Sequence, residues 1–177
     1  MIDVRAATAD DLDSILTIYN HSILMTTSVF SYDPHTLAMR HAWLSEKQAA
    51  GFPVLVACEG HDIAGFATYG PFRTWPAYQY TVENSVHVGE AFRRRGVARA
   101  LMTALVAEAT RREYHAVVAG IVSDNAASLA LHASLGFTEV AHFREVGYKF
   151  GRWQDLKFME LLLATPRHPR ERPEAPQ

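Results

Sequence analysis

The segment from Tyr80 to Glu113 constrains this chain more than any other. Tyr80 to Val88 alternates as a strand, Gly89 to Gly96 forms a loop with three consecutive arginines, and Val97 to Glu113 has helical periodicity. Leu101, Leu105 and Ala109 fall on one side of that helix, with Ala98 and Met102 beside them. Gly96 permits a close turn of the backbone, and Ala98 leaves space against the first helical turn. The free N–H groups there, together with the positive end of the helix dipole, make a site for a phosphate or pyrophosphate. Arg93, Arg94 and Arg95 add charge-assisted contacts. The glycine spacing matches neither G-x-x-x-x-G-K-[ST] nor G-x-G-x-x-G, which argues against a nucleoside triphosphate or NAD.

Around this unit the elements run β, α, α, β, β, β, α, β, α, β, β. Ile2 to Thr8 reads as a strand, and Leu12, Ile15, Leu16, Tyr19 and Ile23 recur as the buried face of a helix. Residues 24–34 show no period, and Pro34 opens a second helix that reaches about Ala50. Val54–Glu59 and Ile63–Tyr69 form a hairpin around Gly60-His61-Asp62. Ala116–Val122 is an apolar strand, and Ser123-Asp124-Asn125 caps a helix that ends at Leu135-Gly136. Val140–Arg144 and Leu156–Leu163 are the last strands. Residues 1–165 therefore make one domain, at about 150 residues per domain. Residues 166–177 hold four Pro and five Arg or Glu, which predicts a disordered tail.

Composition narrows the function classes. Of 177 residues, 49% are hydrophobic and 20% charged, with a net charge of −2, as in an ordinary soluble protein. That charge argues against a general nucleic-acid binder. No apolar run approaches the ~20 residues that span a bilayer, and the first residues lack a signal-peptide pattern. Cys58 is the only cysteine, which excludes a disulfide framework and a cysteine-rich zinc site. The nine histidines form no H-E-x-x-H pattern, so no metal is expected. These features point to a cytoplasmic protein that handles small molecules.

Arg93, Gly96 and Ala98, in the order R-x-x-G-x-A, resemble the pyrophosphate-binding motif of the GNAT N-acetyltransferases, which use acetyl-CoA. Ser123 to Phe137, with Asn125 at a helix start, resembles that family's second signature, and the element order is also similar. Thr81 to Val88, Leu131-His132 and Gly147 to Asp155 resemble the branch that acetylates phosphinothricin, methionine sulfoximine and methionine sulfone. Thr26 to Phe30 and Trp43-Leu44 fit the same branch. The chain departs from it at His87, where Tyr is usual, at Asn84, where His is usual, and at Trp75, in a loop that often carries a second Arg.

The resemblance implies an α/β (α+β) fold with a central mixed, mostly antiparallel sheet flanked by helices. It also implies transfer of an acetyl group from acetyl-CoA to the amine of a small α-amino acid or analogue. Glu83 is then the general base, and His132 a donor for the departing thiolate. Val86, His87 and Val88 lend backbone to the pantetheine arm, the Val88 N–H facing the thioester carbonyl. Arg93, Arg94, Arg95, Gly96, Val97, Ala98 and Arg99 hold the pyrophosphate, with Asn125 and Ser128 on the next helix. Arg73 suits a substrate carboxylate, because guanidinium binds carboxylates in a bidentate fork. Phe30, Trp75, Asn84 and Ser85 complete the substrate side, and a homodimer is implied.

Two other readings compete. Acetylation of proteins or peptides needs an open groove, whereas the 24–35 loop and the Arg73 loop suggest a closed pocket. A non-catalytic acyl-CoA sensor has no need of a base at Glu83.

Overall fold

The computed structural model describes residues 2–164 and Pro169, so the expected tail lies, apart from that proline, outside the described residues. One seven-stranded sheet runs in the order β1-β2-β3-β4-β5-β7-β6. Its strands are β1 (Ile2–Ala6), β2 (Val54–Glu59), β3 (Asp62–Pro71), β4 (Thr81–Val88), β5 (Ala116–Val122), β6 (Thr138–Lys149) and β7 (Arg152–Leu162). Neighbours pair antiparallel except β4 and β5, which are parallel and joined through a helix.

Four helices cover the two faces: α1 (Leu12–Met25), α2 (Leu37–Ala49), α3 (Val97–Arg111) and α4 (Ala126–Ala133). On one face, Leu12, Ile15 and Ile18 of α1 and Leu44 of α2 close over Val54, Val56 and Phe66. On the other, Leu101, Met102, Leu105 and Ala109 of α3 bury against Ala67, Tyr69, Val82 and Val117. Each fully buried aliphatic side chain contributes about 1.5–3 kcal/mol, so α3 is anchored along its length and its first turn is held in place.

Three boundaries differ from the sequence reading by three residues or more. Helix α2 starts at Leu37 rather than Pro34, because the Thr36 hydroxyl accepts from the Met39 N–H and caps it. Strand β6 runs to Lys149 rather than Arg144, and β7 begins at Arg152 rather than Leu156. Most of β6 is exposed, and its register shifts between Phe143 and Gly147, with Glu145 at φ 57°, so no two-residue period marks it. Phe150 and Gly151, at φ 53° and 73°, form the two-residue turn between these strands.

Candidate active site

The parallel pairing of β4 and β5 covers only Thr81↔Ala116, Val82↔Val117 and Glu83↔Val118. Beyond it each strand keeps its other partner, β4 with β3 to Val88 and β5 with β7 to Val122. Their inner edges part, and a cavity of about 270 Å³ opens between them. Alternation along the strands divides its walls. Ser85 and His87 face α1 and α2, where Tyr19, Ser28 and Val29 join them, while Asn84 and Val86 face α3 and α4 with Asn125, Ser128 and His132. The cavity therefore passes through the sheet. Its strand edges carry backbone polar groups that need partners, which suits a ligand with amides of its own.

Glu83 is the last residue of β4 that pairs with β5. Burial pushes its carboxyl pKa up, and the charge of Arg73 works in the opposite direction. A Cβ built on Gly120 would lie 3.2 Å from Glu83 Oε1 and 3.5 Å from Phe158, so this glycine leaves the carboxylate its space. The result is a half-buried carboxylate where the two strands begin to part, outside the cavity lining but next to Gly120 of its wall, and burial makes it less acidic than usual.

The cationic loop lies at the start of α3. Gly96 stands before the first helical residue at φ 85°, a left-handed conformation that glycine adopts without cost. Arg95 pairs with Glu59 at 3.0 Å, and Arg99 donates to Ser134 Oγ at 2.8 Å. Arg93 and Arg94 are exposed and, among the described residues, meet no carboxylate. Val97 is core, and Ala98 is half-buried beside it. This combination of free N–H groups, dipole and unpaired guanidinium groups fits a diphosphate.

The histidines are held by their surroundings. His132 is buried, with Nδ1 2.8 Å from the Ser128 carbonyl and Nε2 3.1 Å from Asn84 Nδ2. A carbonyl only accepts, so Nδ1 carries the hydrogen and Nε2 accepts from Asn84. Burial lowers the His132 pKa and keeps the ring neutral. In that state its one N–H is already spent on Ser128, which leaves no proton for a departing thiolate; the ring instead fixes the Asn84 side of the wall. Asn84 accordingly lies on the α3–α4 side, not beside Glu83 where the sequence reading put it, because neighbours on a strand face opposite ways. His87 packs between Phe66 and Tyr19, with Nδ1 3.2 Å from Ser22 Oγ, and burial lowers its pKa to about 4.

Asn125 caps α4, its side-chain oxygen accepting from the Ser128 N–H, and both residues line the cavity. Ser85 lines it as well, whereas Val88 lies just beyond, at the end of β4. Arg73 is exposed and does not line the cavity; its guanidinium lies 4.0 Å over the Phe72 ring, and its charge acts on Glu83. Phe30 packs on Gly147 of β6, adjacent to Val29 in the wall. Trp75 is 73% exposed, at the start of the short 3-10 turn Pro76–Tyr78, and does not line the cavity. The sequence reading missed Tyr19, Ser28, Val29 and Gly120 as site residues. For Gly120 the signal was there, a glycine inside an apolar strand.

Residues 4–158 match the family model of the acetyltransferase (GNAT) domain. An L-methionine sulfoximine/L-methionine sulfone acetyltransferase of Salmonella typhimurium is 44% identical over 160 residues, which span 90% of this chain and 94% of that protein. A phosphinothricin N-acetyltransferase of Streptomyces coelicolor is 36% identical over 90% of this chain and 95% of its own length. Among solved structures, an acetyltransferase from Salmonella typhimurium with its cofactor acetyl-CoA superposes with a TM-score of 0.93 at 42% identity, covering 96% of this chain and 98% of that one.

Proposed function

The chain belongs to the GNAT acetyltransferase family, and from that premise we propose that it transfers an acetyl group from acetyl-CoA to the primary amine of a small α-amino acid or analogue. Acceptors of the methionine sulfone, methionine sulfoximine and phosphinothricin type are the natural candidates, being those of the most similar relatives. The observation that carries this reading is Glu83, a half-buried carboxylate of raised pKa where β4 and β5 separate.

Glu83 takes one proton from the substrate ammonium, directly or through a water. The free amine then bonds to the thioester carbon while the Val88 N–H supports the developing oxyanion. The C–S bond breaks, and the nitrogen's second proton leaves with the sulfur as thiol, which balances the reaction without a proton from His132. The edge of β4 at Val86–Val88 pairs with the pantetheine amides. Arg93, Arg94 and the α3 N-terminus at Gly96 hold the pyrophosphate, with Arg95, Arg99, Asn125 and Ser128 lining its approach. Arg73 meets the acceptor carboxylate, and Phe30 and Ser85 border the acceptor.

A cavity of about 270 Å³ suits a small amine better than a peptide. The test is release of free coenzyme A with methionine sulfone, methionine sulfoximine, phosphinothricin and a basic peptide. Turnover of one or more amino acids with the peptide inert is expected; peptide turnover alone would overturn the reading. The chain works as a cytoplasmic homodimer in this reading. Exposed apolar side chains on the β6–β7 hairpin, among them Phe143 on one side and Tyr148 and Trp153 on the other, leave surface for a second copy, which sedimentation of the purified protein checks.

A further inference from the structure

The loop that leaves α1 is held by a side chain far away in sequence. Lys149 ends β6 at the Phe150-Gly151 turn, and it is only 4% exposed. Its Nζ donates to three backbone carbonyls: Ile23 at 2.5 Å, Thr26 at 2.8 Å and Val29 at 2.6 Å. An ammonium has three N–H donors, so this set saturates it. Ile23 lies in the last turn of α1, where a carbonyl lacks a partner inside the helix, and a cation there also complements the dipole. Burial pushes the Lys149 pKa down, and no carboxylate among the described residues pairs with it. A desolvated charge of this kind is tolerated only while all its acceptors converge, which selects one geometry of the loop.

The two residues before Lys149 hold the same loop. Tyr32 Oη donates to the Tyr148 carbonyl at 2.5 Å. The Phe30 ring lies on Gly147, where any Cβ would fall under 3.0 Å from ring carbons. Gln154, itself buried, donates from Nε2 to the Lys149 carbonyl at 3.1 Å and steadies the strand end. Three consecutive residues of β6 thus grip, at Thr26, Val29, Phe30 and Tyr32, the segment that supplies Ser28 and Val29 to the cavity wall.

We propose that Lys149 is a positioning residue for the amine acceptor: it shapes the 26–32 loop into the acceptor-side wall and acts through Ser28 and Val29 without touching the substrate. The inference rests on the assignment of that side of the sheet to the amine. In full-length Lys149→Met, the acceptor KM should rise about tenfold or more, because a displaced wall loosens the bound geometry. Acetyl-CoA affinity, measured by calorimetry, should stay within about twofold, since the α3 loop is on the far side of the sheet. Hydrogen exchange should increase in the 26–36 segment and not in 93–99. An unchanged acceptor KM would overturn the proposal, and so would acetyl-CoA binding weakened to the same degree.

Should Lys149→Met fail to fold, Tyr32→Phe opens the same clasp from the loop side. A rise in acceptor KM of about threefold is then expected for one lost hydrogen bond, and no rise would sink the idea. If the wild-type protein acetylates no amino acid at all, the acceptor assignment falls by itself. Exchange in the 26–36 segment then decides the clamp: loosening in Lys149→Met sustains it, and unchanged exchange overturns it.

Discussion

The two sides of the cavity are assembled from very different lengths of chain. The side facing α3 and α4 comes from one continuous run, from Asn84 through the arginine loop to His132, and much of it is backbone. The side facing α1 and α2 gathers Tyr19, Ser28, Val29 and Gly120, with Glu83 beside Gly120 and Lys149 behind the loop. A backbone site made by one β–α–β passage tolerates little change, because its N–H groups are set by the fold itself. A site made of side chains from distant segments can be altered one residue at a time. Cofactor use and acceptor choice should therefore separate under mutation.

Glu83→Gln tests that separation with the largest effect. Turnover should fall about 10²–10⁴-fold at neutral pH while acetyl-CoA still binds, because the amide cannot take the ammonium proton. The loss should shrink as pH rises and more amine arrives deprotonated. Near-normal turnover at pH 7 would remove Glu83 as the base.

Gly96→Trp is the reciprocal experiment. The nearest atom to a Cβ there is Ile2 Cδ1 at 3.9 Å, so the side chain has space to project before the α3 N-terminus, while the left-handed backbone costs the fold about 1–2 kcal/mol. Removing two charge-assisted hydrogen bonds to phosphate should weaken acetyl-CoA binding about a hundredfold or more. The rise in melting temperature on adding acetyl-CoA should vanish. An undiminished rise in a folded variant would place the diphosphate elsewhere.

Arg73→Ala should raise the KM for amino acids about ten- to hundredfold, and much less for the matching amine without a carboxylate. It also moves the pH profile. Glu83 must be ionised to act, so activity climbs with pH through its raised pKa, and Arg73 is the charge that holds this value down. Without it, the acid limb should shift to higher pH. An equal KM change for both substrates would take Arg73 out of the carboxylate site.

Gly120→Ala should give the smallest effect, a fall of about tenfold in kcat, by crowding Glu83 Oε1 at 3.2 Å and displacing the carboxylate by a few tenths of an ångström. Acetyl-CoA affinity should not follow. If affinity fell in step with kcat, the two sides would not be separable at β5.

The arginine loop and the Asn125 cap were legible in sequence, because each belongs to a local motif whose spacing reflects one turn or one helix start, whereas Glu83 was singled out by the family resemblance. The β6–β7 hairpin was not. Its residues are exposed, its register is broken at Glu145, and its turn uses Phe-Gly in place of the commoner Asn-Gly. In sequence Lys149 falls between the last two expected strands and carries no sign of burial. Only the return of β6 alongside the α1 loop, more than a hundred residues earlier in the chain, makes it a buried donor.

By itself the sequence determined the order of elements, the glycine turn and arginines at the start of α3, and the presence of a carboxylate on β4. Periodicity, capping and helix-terminus chemistry act over a few residues, so they are written locally. Tertiary structure alone decided where β4 parts from β5 and which neighbours surround Glu83. It also decided that His132 spends its N–H on Ser128 and that Lys149 shapes the opposite wall. Burial and hydrogen-bond partnership depend on segments that meet only after folding, and these set the proton affinity and orientation of each group.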